Sequence, residues 1–168
     1  DAPDYRYGNL LWSIALAASA LLVVVTAPLA GAIMDATRTR KGFLFASYVG
    51  TVLTTALLFF VEPGMVWLGV LLIILSNFFY GIGESFISAF LPGLGPARAL
   101  GWISGLGWGM GYVGGLVSTA FALAFLGEVS AENFDTVRWV GPFAAVFFLL
   151  AAIPTFLFVR ERGRRYTL

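Results

Sequence analysis

The sequence predicts an all-α protein, a polytopic transmembrane bundle with five membrane-spanning helices. Hydrophobic residues make up 60% of the chain and charged residues 11%, whereas soluble domains carry about 25% charged residues. The mean hydropathy is +0.90. The apolar residues are gathered into long segments, and the basic residues between them fall on alternate sides. These observations exclude a soluble core and indicate a membrane protein.

Five apolar segments are long enough to cross a membrane. A bilayer core about 30 Å thick requires roughly 20 apolar residues in helical conformation. Segments that meet this length cover residues 10–34, 43–61, 66–91, 99–126 and 139–159. The last is almost entirely apolar and is typical of a peripheral, lipid-facing helix.

Helix breakers separate the segments where loops are needed. Glu62, Pro63 and Gly64 predict a tight turn between the second and third spans. A second group of Pro and Gly residues at 92–96 ends the third span before Arg98. The longest connection, residues 127–138, is polar. These stretches are loops inside one bundle, and nothing marks them as linkers between domains.

The basic residues predict an N-terminus outside and a C-terminus in the cytoplasm, because cytoplasmic loops carry an excess of Lys and Arg. In this orientation only Arg6 and Arg138 lie outside. The inner loops hold Arg38, Arg40, Lys41, Arg98, Arg160, Arg162, Arg164 and Arg165. We therefore expect an integral multi-pass protein that has the lipid bilayer as its partner, with the cell (inner) membrane as its location.

The composition argues against an enzyme. The chain has no Cys and no His, so it lacks thiolate chemistry and the commonest nitrogen ligand and general base. No paired carboxylates, nucleophilic triad or phosphate-binding loop can be assembled from its motifs. Its basic residues are spread among loops and do not form a nucleic-acid-binding patch. We expect no catalytic residues, no metal, no cofactor and no nucleic-acid partner.

A polar stripe on the third span is the strongest candidate site. Asn77, Gly81, Glu84 and Ser88 recur at helical spacing, and Tyr80 lies one turn before Glu84. A charge at the centre of a membrane helix costs about 2.5–3.5 kcal/mol, so Glu84 should face the bundle interior or a wet cavity. We predict that Glu84, Asn77, Tyr80 and Ser88 form a substrate or proton pathway. An interhelical hydrogen bond by Asn77 and an ion pair of Glu84 with an Arg outside this sequence are structural alternatives.

The fourth span contains two ladders of glycines spaced by four residues. Small residues at this spacing let helix backbones approach closely in lipid, so helix packing is the favoured interpretation. The ladders are Gly101, Gly105 and Gly109, and Gly107, Gly111 and Gly115. Trp108 and Tyr112, also four apart, can project into a cavity, although packing is the commoner outcome for aromatic residues at helical spacing.

The first inner loop resembles the loop signature of the major facilitator superfamily, in which a small residue and an acid at a helix end precede a basic cluster. Gly31 would permit close helix approach, and Asp35 can accept hydrogen bonds from cationic side chains. The residues that carry this resemblance are Gly31, Asp35, Arg38, Arg40 and Lys41.

Two further segments resemble the vacuole-effluxer (autophagy-related permease) branch of that superfamily. They are Ser-Ala-Phe-Leu-Pro at 88–92 and the glycine-rich run at 101–115. The resemblance implies that the chain is a fragment of a six-helix N-terminal half. It would lack the first helix and the C-terminal half of the transporter, which become expected partners. The third span here would then correspond to the helix that lines the substrate cavity in the family.

The function implied by the resemblance is secondary active transport of small solutes, possibly amino acids, by alternating access. A small-molecule substrate is then a further partner. The alternative from a different class is a non-transporting membrane subunit that docks a partner through its glycine-rich helix.

Overall fold

The chain folds into a bundle of long helices in a computed structural model that describes residues 5–37, 39–126 and 133–159. No strand occurs in these ranges. Five of the helices are long and apolar enough to cross a membrane, which confirms the predicted all-α, five-span architecture. The elements are α1 (Tyr5–Thr37), α2 (Arg40–Leu57), α3 (Val66–Ser88), α4 (Leu100–Leu126), the single turn α5 (Phe134–Val137) and α6 (Val140–Phe158).

The predicted breakers separate these helices. Gly64 has φ +98° in the turn before α3, a conformation that residues with a Cβ rarely adopt. Pro96 is extended, with ψ 151°, and directly precedes the short 3₁₀ turn Ala97–Ala99 that leads into α4. α1 starts at Tyr5, earlier than the predicted residue 10, because a helix can continue through polar residues that lie outside the hydrocarbon.

Helices α1, α2, α3 and α6 form the packed part of the bundle. α3 packs against α1 and α2, and α2 also packs against α6. Single glycines lie at these crossings. A Cβ on Gly50 of α2 would be 2.6 Å from the Phe79 ring of α3, and a Cβ on Gly141 of α6 would be 2.7 Å from the Thr55 carbonyl oxygen of α2. α6 and α2 therefore approach almost backbone to backbone, and Gly50 makes room for an aromatic ring of α3, as small residues allow in lipid.

Helix α4 stands apart from this packed part. None of the apolar residues in its most hydrophobic stretch is buried in the described structure. At one end it contacts the 3₁₀ turns Leu91–Gly93 and Ala97–Ala99. At the other end Phe121 of α4 stacks on Phe143 of α6, with ring centroids 4.7 Å apart. Because α4 is held mainly near its two ends, its middle is separated from α3.

The bundle has two distinct ends. We call the end that carries Arg40 and Lys41 the basic end, and the other the opposite end. At the opposite end Arg138 donates from Nε and Nη2 to the Phe59 carbonyl oxygen, at 3.1 and 2.8 Å. Its guanidinium also lies 4.4 Å from the centre of the Phe59 ring. These contacts tie the start of α6 to the end of α2.

We expect Gly141→Ala to lower the stability of the protein. The new methyl group would lie 2.7 Å from the Thr55 carbonyl oxygen and 3.2 Å from Leu58 Cβ, so α6 must move away from α2. Overpacking of this kind costs about 1–3 kcal/mol. The measurement is the thermal unfolding midpoint of the purified protein in detergent.

Gly69→Ala is the matched control, because its methyl group would make only an ordinary contact, 3.4 Å from Val61 Cγ1. Equal unfolding midpoints for the two alanine variants would contradict the close α2 and α6 packing.

Candidate functional site

A cleft of about 660 Å³ opens between α4 and the packed helices. It exists because the middle of α4 lies away from α3. Residues from four helices line it: Ser47, Tyr48 and Thr51 of α2, Tyr80, Glu84 and Ser88 of α3, Ser104, Trp108 and Tyr112 of α4, and Phe148, Ala151 and Thr155 of α6. We refer to this space as the cleft.

Three of the four residues predicted for the substrate or proton pathway lie together in the cleft. Tyr80, Glu84 and Ser88 are one helical turn apart on the same face of α3. Asn77 is not among the lining residues. Its Nδ2 donates to the Ile73 carbonyl oxygen of the same helix at 2.9 Å. The amide is therefore used within α3, and the structure provides neither the cleft contact nor the interhelical bond considered for Asn77.

Glu84 is the charged residue of the cleft. It is exposed, and no other charged side chain lines the cleft within the described ranges. Asn77 is the middle residue of α3, so Glu84 lies two helical turns, or about 10 Å, nearer the basic end. The expectation that Glu84 faces a cavity rather than lipid agrees with this position, while its role in transport stays a prediction.

The α4 wall carries aromatic and polar groups. Ser104, Trp108 and Tyr112 recur every four residues, and the Trp108 and Tyr112 ring centroids are 6.4 Å apart. The two rings are 60% and 71% exposed, so they project into open space. The sequence allowed these two rings either to project into a cavity or to pack, and in the structure they line the cleft. Ser104 was not singled out beforehand, although its spacing from Trp108 would have revealed it.

The hydroxyl groups of α2 are already hydrogen-bonded to helix carbonyls. Ser47 Oγ donates to Leu44 O at 2.8 Å, Thr51 Oγ1 to Ser47 O at 2.9 Å, and the Tyr48 hydroxyl to Leu149 O of α6 at 2.7 Å. Such bonds stabilise the helices and their packing. In contrast, six polar side chains of the cleft make no hydrogen bond to the rest of the described chain: Tyr80, Glu84, Ser104, Trp108, Tyr112 and Thr155.

Helix α6 contributes more to the site than the sequence indicated. Phe148, Ala151 and Thr155 line the cleft, whereas the nearly uniform apolar sequence of the helix predicted a peripheral position facing lipid. Uniform hydrophobicity provides no signal for the one face that turns inward. The contribution of α6 could therefore be found only from the packing.

The structure places the two glycine ladders on different faces of α4. Gly107 and Gly111 line the cleft. The other ladder lies on the far side of the helix, in a groove beside Trp102 and Met110. A Cβ would meet no atom within 4 Å at any of Gly101, Gly105, Gly109, Gly107, Gly111 and Gly115. No helix of the described chain packs on them, and close packing through these glycines stays a prediction.

The loop signature joins several helix ends at the basic end. Arg40 Nη2 lies 2.7 Å from Asp35 Oδ1, and Arg40 Nη1 is 3.4 Å from the Ala89 carbonyl oxygen beyond α3. Lys41 Nζ donates to the Phe156 carbonyl oxygen of α6 at 3.1 Å. Cations placed on carbonyls at helix C-termini are favourable there.

Of the other two members of the predicted signature, only Gly31 is described. Arg38 lies outside the described residues. Gly31 has space for a Cβ with nothing within 4 Å, so no described helix approaches it closely. The contacts of Asp35, Arg40 and Lys41 thus connect α1, α2, α3 and α6 without a contribution from Gly31.

Helices long and apolar enough to cross a membrane, arranged around a partly polar cleft, indicate an integral membrane protein. A family model described as "Vacuole effluxer Atg22 like" matches residues 11–101, and the chain belongs to this family. The matched region contains the loop signature and Glu84, and ends before Trp108. Comparisons with curated proteins and with solved structures returned no match.

We expect a cysteine at Ala151 to react with a water-soluble maleimide at least ten-fold faster than one at Leu150. Ala151 lines the cleft, whereas its neighbour Leu150 is 60% exposed and does not line it. Thiolate, the reactive form, does not persist in hydrocarbon. The chain contains no Cys, so the introduced thiol is the only target within it. The measurement is the labelling rate in intact membranes, and equal rates would show that the cleft holds no water.

Proposed function

We propose that this protein is a secondary active transporter that moves small solutes through the cleft by alternating access. The observation that carries this proposal is the position of Glu84, which lines the cleft and is the one Asp, Glu, Lys or Arg residue inside the predicted spans. A carboxylate at membrane depth is expensive unless it faces water or a partner, and such residues commonly mark substrate or ion pathways.

The size and lining of the cleft support a small solute. Its volume of about 660 Å³ lies within the range of roughly 300–1,000 Å³ found for small-molecule sites. Most lining residues are apolar or aromatic, and each of the four helices adds polar groups. Glu84 would bind the solute or carry a proton, with Tyr80 and Ser88 beside it. Amino acids are the solutes that membership of an effluxer family favours.

Further helices would complete the transport path. The exposed middle of α4 and its far glycine face have the character of surfaces that are covered in a complete transporter. A first helix and a second half of major-facilitator type would supply this cover. The two halves would then rock against each other about the cleft, as in transporters built from repeats. The contacts of Asp35, Arg40 and Lys41 would keep the packed helices together as one rigid unit during that motion.

The orientation and location follow from the charges. The basic end would face the cytoplasm because it carries the excess of Lys and Arg, and the cell membrane would be the bilayer concerned. A non-transporting subunit that docks through the glycine-rich helix has no observation in its favour, and membership of a permease family weighs against it.

Glu84→Gln should reduce solute flux at least ten-fold and remove its dependence on a pH gradient. Glutamine keeps the size of the side chain but can neither carry the charge nor release a proton. The measurement is uptake into vesicles that contain the full-length protein, with and without a pH gradient.

Glu62→Gln is the matched control, because Glu62 is exposed in the turn before α3 and does not line the cleft. Its flux should equal that of the unmodified protein. Unchanged flux and pH dependence for Glu84→Gln would contradict the proposed role of Glu84.

A further inference from the structure

The unused polar groups of the cleft are concentrated on two facing helices. Five of the six unbonded polar side chains are on these helices: Tyr80 and Glu84 on α3, and Ser104, Trp108 and Tyr112 on α4. The sixth, Thr155, is on α6. The hydroxyls of Ser47, Tyr48 and Thr51 are used on helix carbonyls instead. A ligand in the cleft would therefore be recognised mainly by α3 and α4, with one further hydroxyl group, that of Thr155, on α6.

The charge of this recognition surface selects a cation. Glu84 is the charged lining residue, and no Lys or Arg lines the cleft in the part of the chain that the structure describes. A carboxylate that is partly removed from water is best satisfied by a cation with hydrogens to donate, and an ammonium group has three. A carboxylate on the solute would find no cationic partner among the described lining residues.

The aromatic residues favour the same class of ligand. Trp108 and Tyr112 form one aromatic pair on α4, and Tyr80 and Phe148 form another across α3 and α6, with ring centroids 6.0 Å apart. Cations are attracted to the faces of aromatic rings, most strongly to those of tryptophan. The same rings accept an apolar stem.

We propose that the cleft binds the protonated amino group of a small organic amine, with Glu84 as its counter-ion and the faces of Trp108 and Tyr112 beside it. The inference deepens the proposed function by naming the chemical class of solute, and it rests on that function for the transport step. Binding itself can be measured without transport.

Three probes with the same aromatic stem separate the possible recognition groups. Phenethylamine has the amino group alone, 3-phenylpropanoate has the carboxylate alone, and phenylalanine has both. The measurement is equilibrium binding to the full-length protein in lipid nanodiscs, by calorimetry. We expect phenethylamine to bind and 3-phenylpropanoate to bind at least ten-fold more weakly. Equal affinities for these two probes would overturn the proposal.

Phenylalanine identifies the source of the amino group. Binding within ten-fold of phenethylamine supports an amino acid as the solute, and much weaker binding supports an amine that lacks a carboxylate. Both outcomes support recognition of the ammonium group.

Variants assign the binding to the cleft residues. Glu84→Gln should weaken phenethylamine binding about 10- to 100-fold, since hydrogen bonds to charged groups are the strong ones. Trp108→Leu should weaken it about 3- to 30-fold through loss of the cation–π contact. Trp102→Leu, the same substitution in the groove on the far face of α4, should leave the affinity unchanged. An unchanged affinity in Glu84→Gln would overturn the proposal.

Two further controls keep the result interpretable. Glu84→Asp keeps the charge and should recover part of the affinity, which separates charge from folding. If the unmodified protein binds no amine and Glu84→Gln lowers its unfolding midpoint, Glu84 pairs with a cation of the protein itself and the proposal is overturned.

Flux of the probes into vesicles is measured separately. Binding without flux contradicts the transporter, while flux of 3-phenylpropanoate equal to that of phenethylamine contradicts only the amine recognition.

Discussion

The cost of placing a carboxylate at membrane depth is the constraint on which the arrangement of this bundle depends. A charge at the centre of a spanning helix is unfavourable by about 2.5–3.5 kcal/mol even on insertion scales that give low values. Glu84 lies about two turns from the middle of α3, so its cost is a fraction of this value. The helix that carries Glu84 must therefore turn that face away from lipid. In the structure this face lines a cleft whose other walls come from α2, α4 and α6. The cleft keeps the Glu84 carboxylate out of the hydrocarbon, and the same space is available to a solute.

The cleft stays open because the helices are held together unequally. α2 crosses α3 and α6 at isolated glycines: Gly50 receives the Phe79 ring of α3, and Gly141 lies against the α2 backbone. Arg138 at one end and the Asp35, Arg40 and Lys41 contacts at the other add polar ties between helix ends. α4 has no such crossing along its length, so its middle can stand away from α3 without breaking any of these contacts.

The sequence predicts the fold well because the physical signals are local. Twenty or so apolar residues define a span, and a Pro-Gly turn ends one, so the five helices and the Gly64 turn were predictable from the sequence. The inward face of α3 was also predictable, because Tyr80, Glu84 and Ser88 share helical spacing. Asn77 shares the spacing too, but its amide bonds to its own helix, and spacing cannot distinguish these two uses.

Which residues of α4 and α6 line the cleft depends on how the helices pack, and no periodic pattern in the sequence predicts that packing. The glycine ladders on α4 are the strongest small-residue signal in the chain, yet the closest described crossings use the isolated Gly50 and Gly141. A ladder permits close approach but does not specify the partner that makes it. Uniformly apolar α6 gave no indication that Phe148 and Thr155 face the cleft.

The most direct measurement of the central claim is the environment of a spin label attached through a cysteine at position 84, in the full-length protein reconstituted into bilayers. A label that faces a wet cleft is relaxed strongly by a water-soluble nickel chelate and weakly by oxygen, which concentrates in lipid. The account predicts a nickel-dominated response at position 84 and an oxygen-dominated response at the outward-facing reference position Leu150. An oxygen-dominated response at both positions would place the side chain of residue 84 in the hydrocarbon and contradict the account.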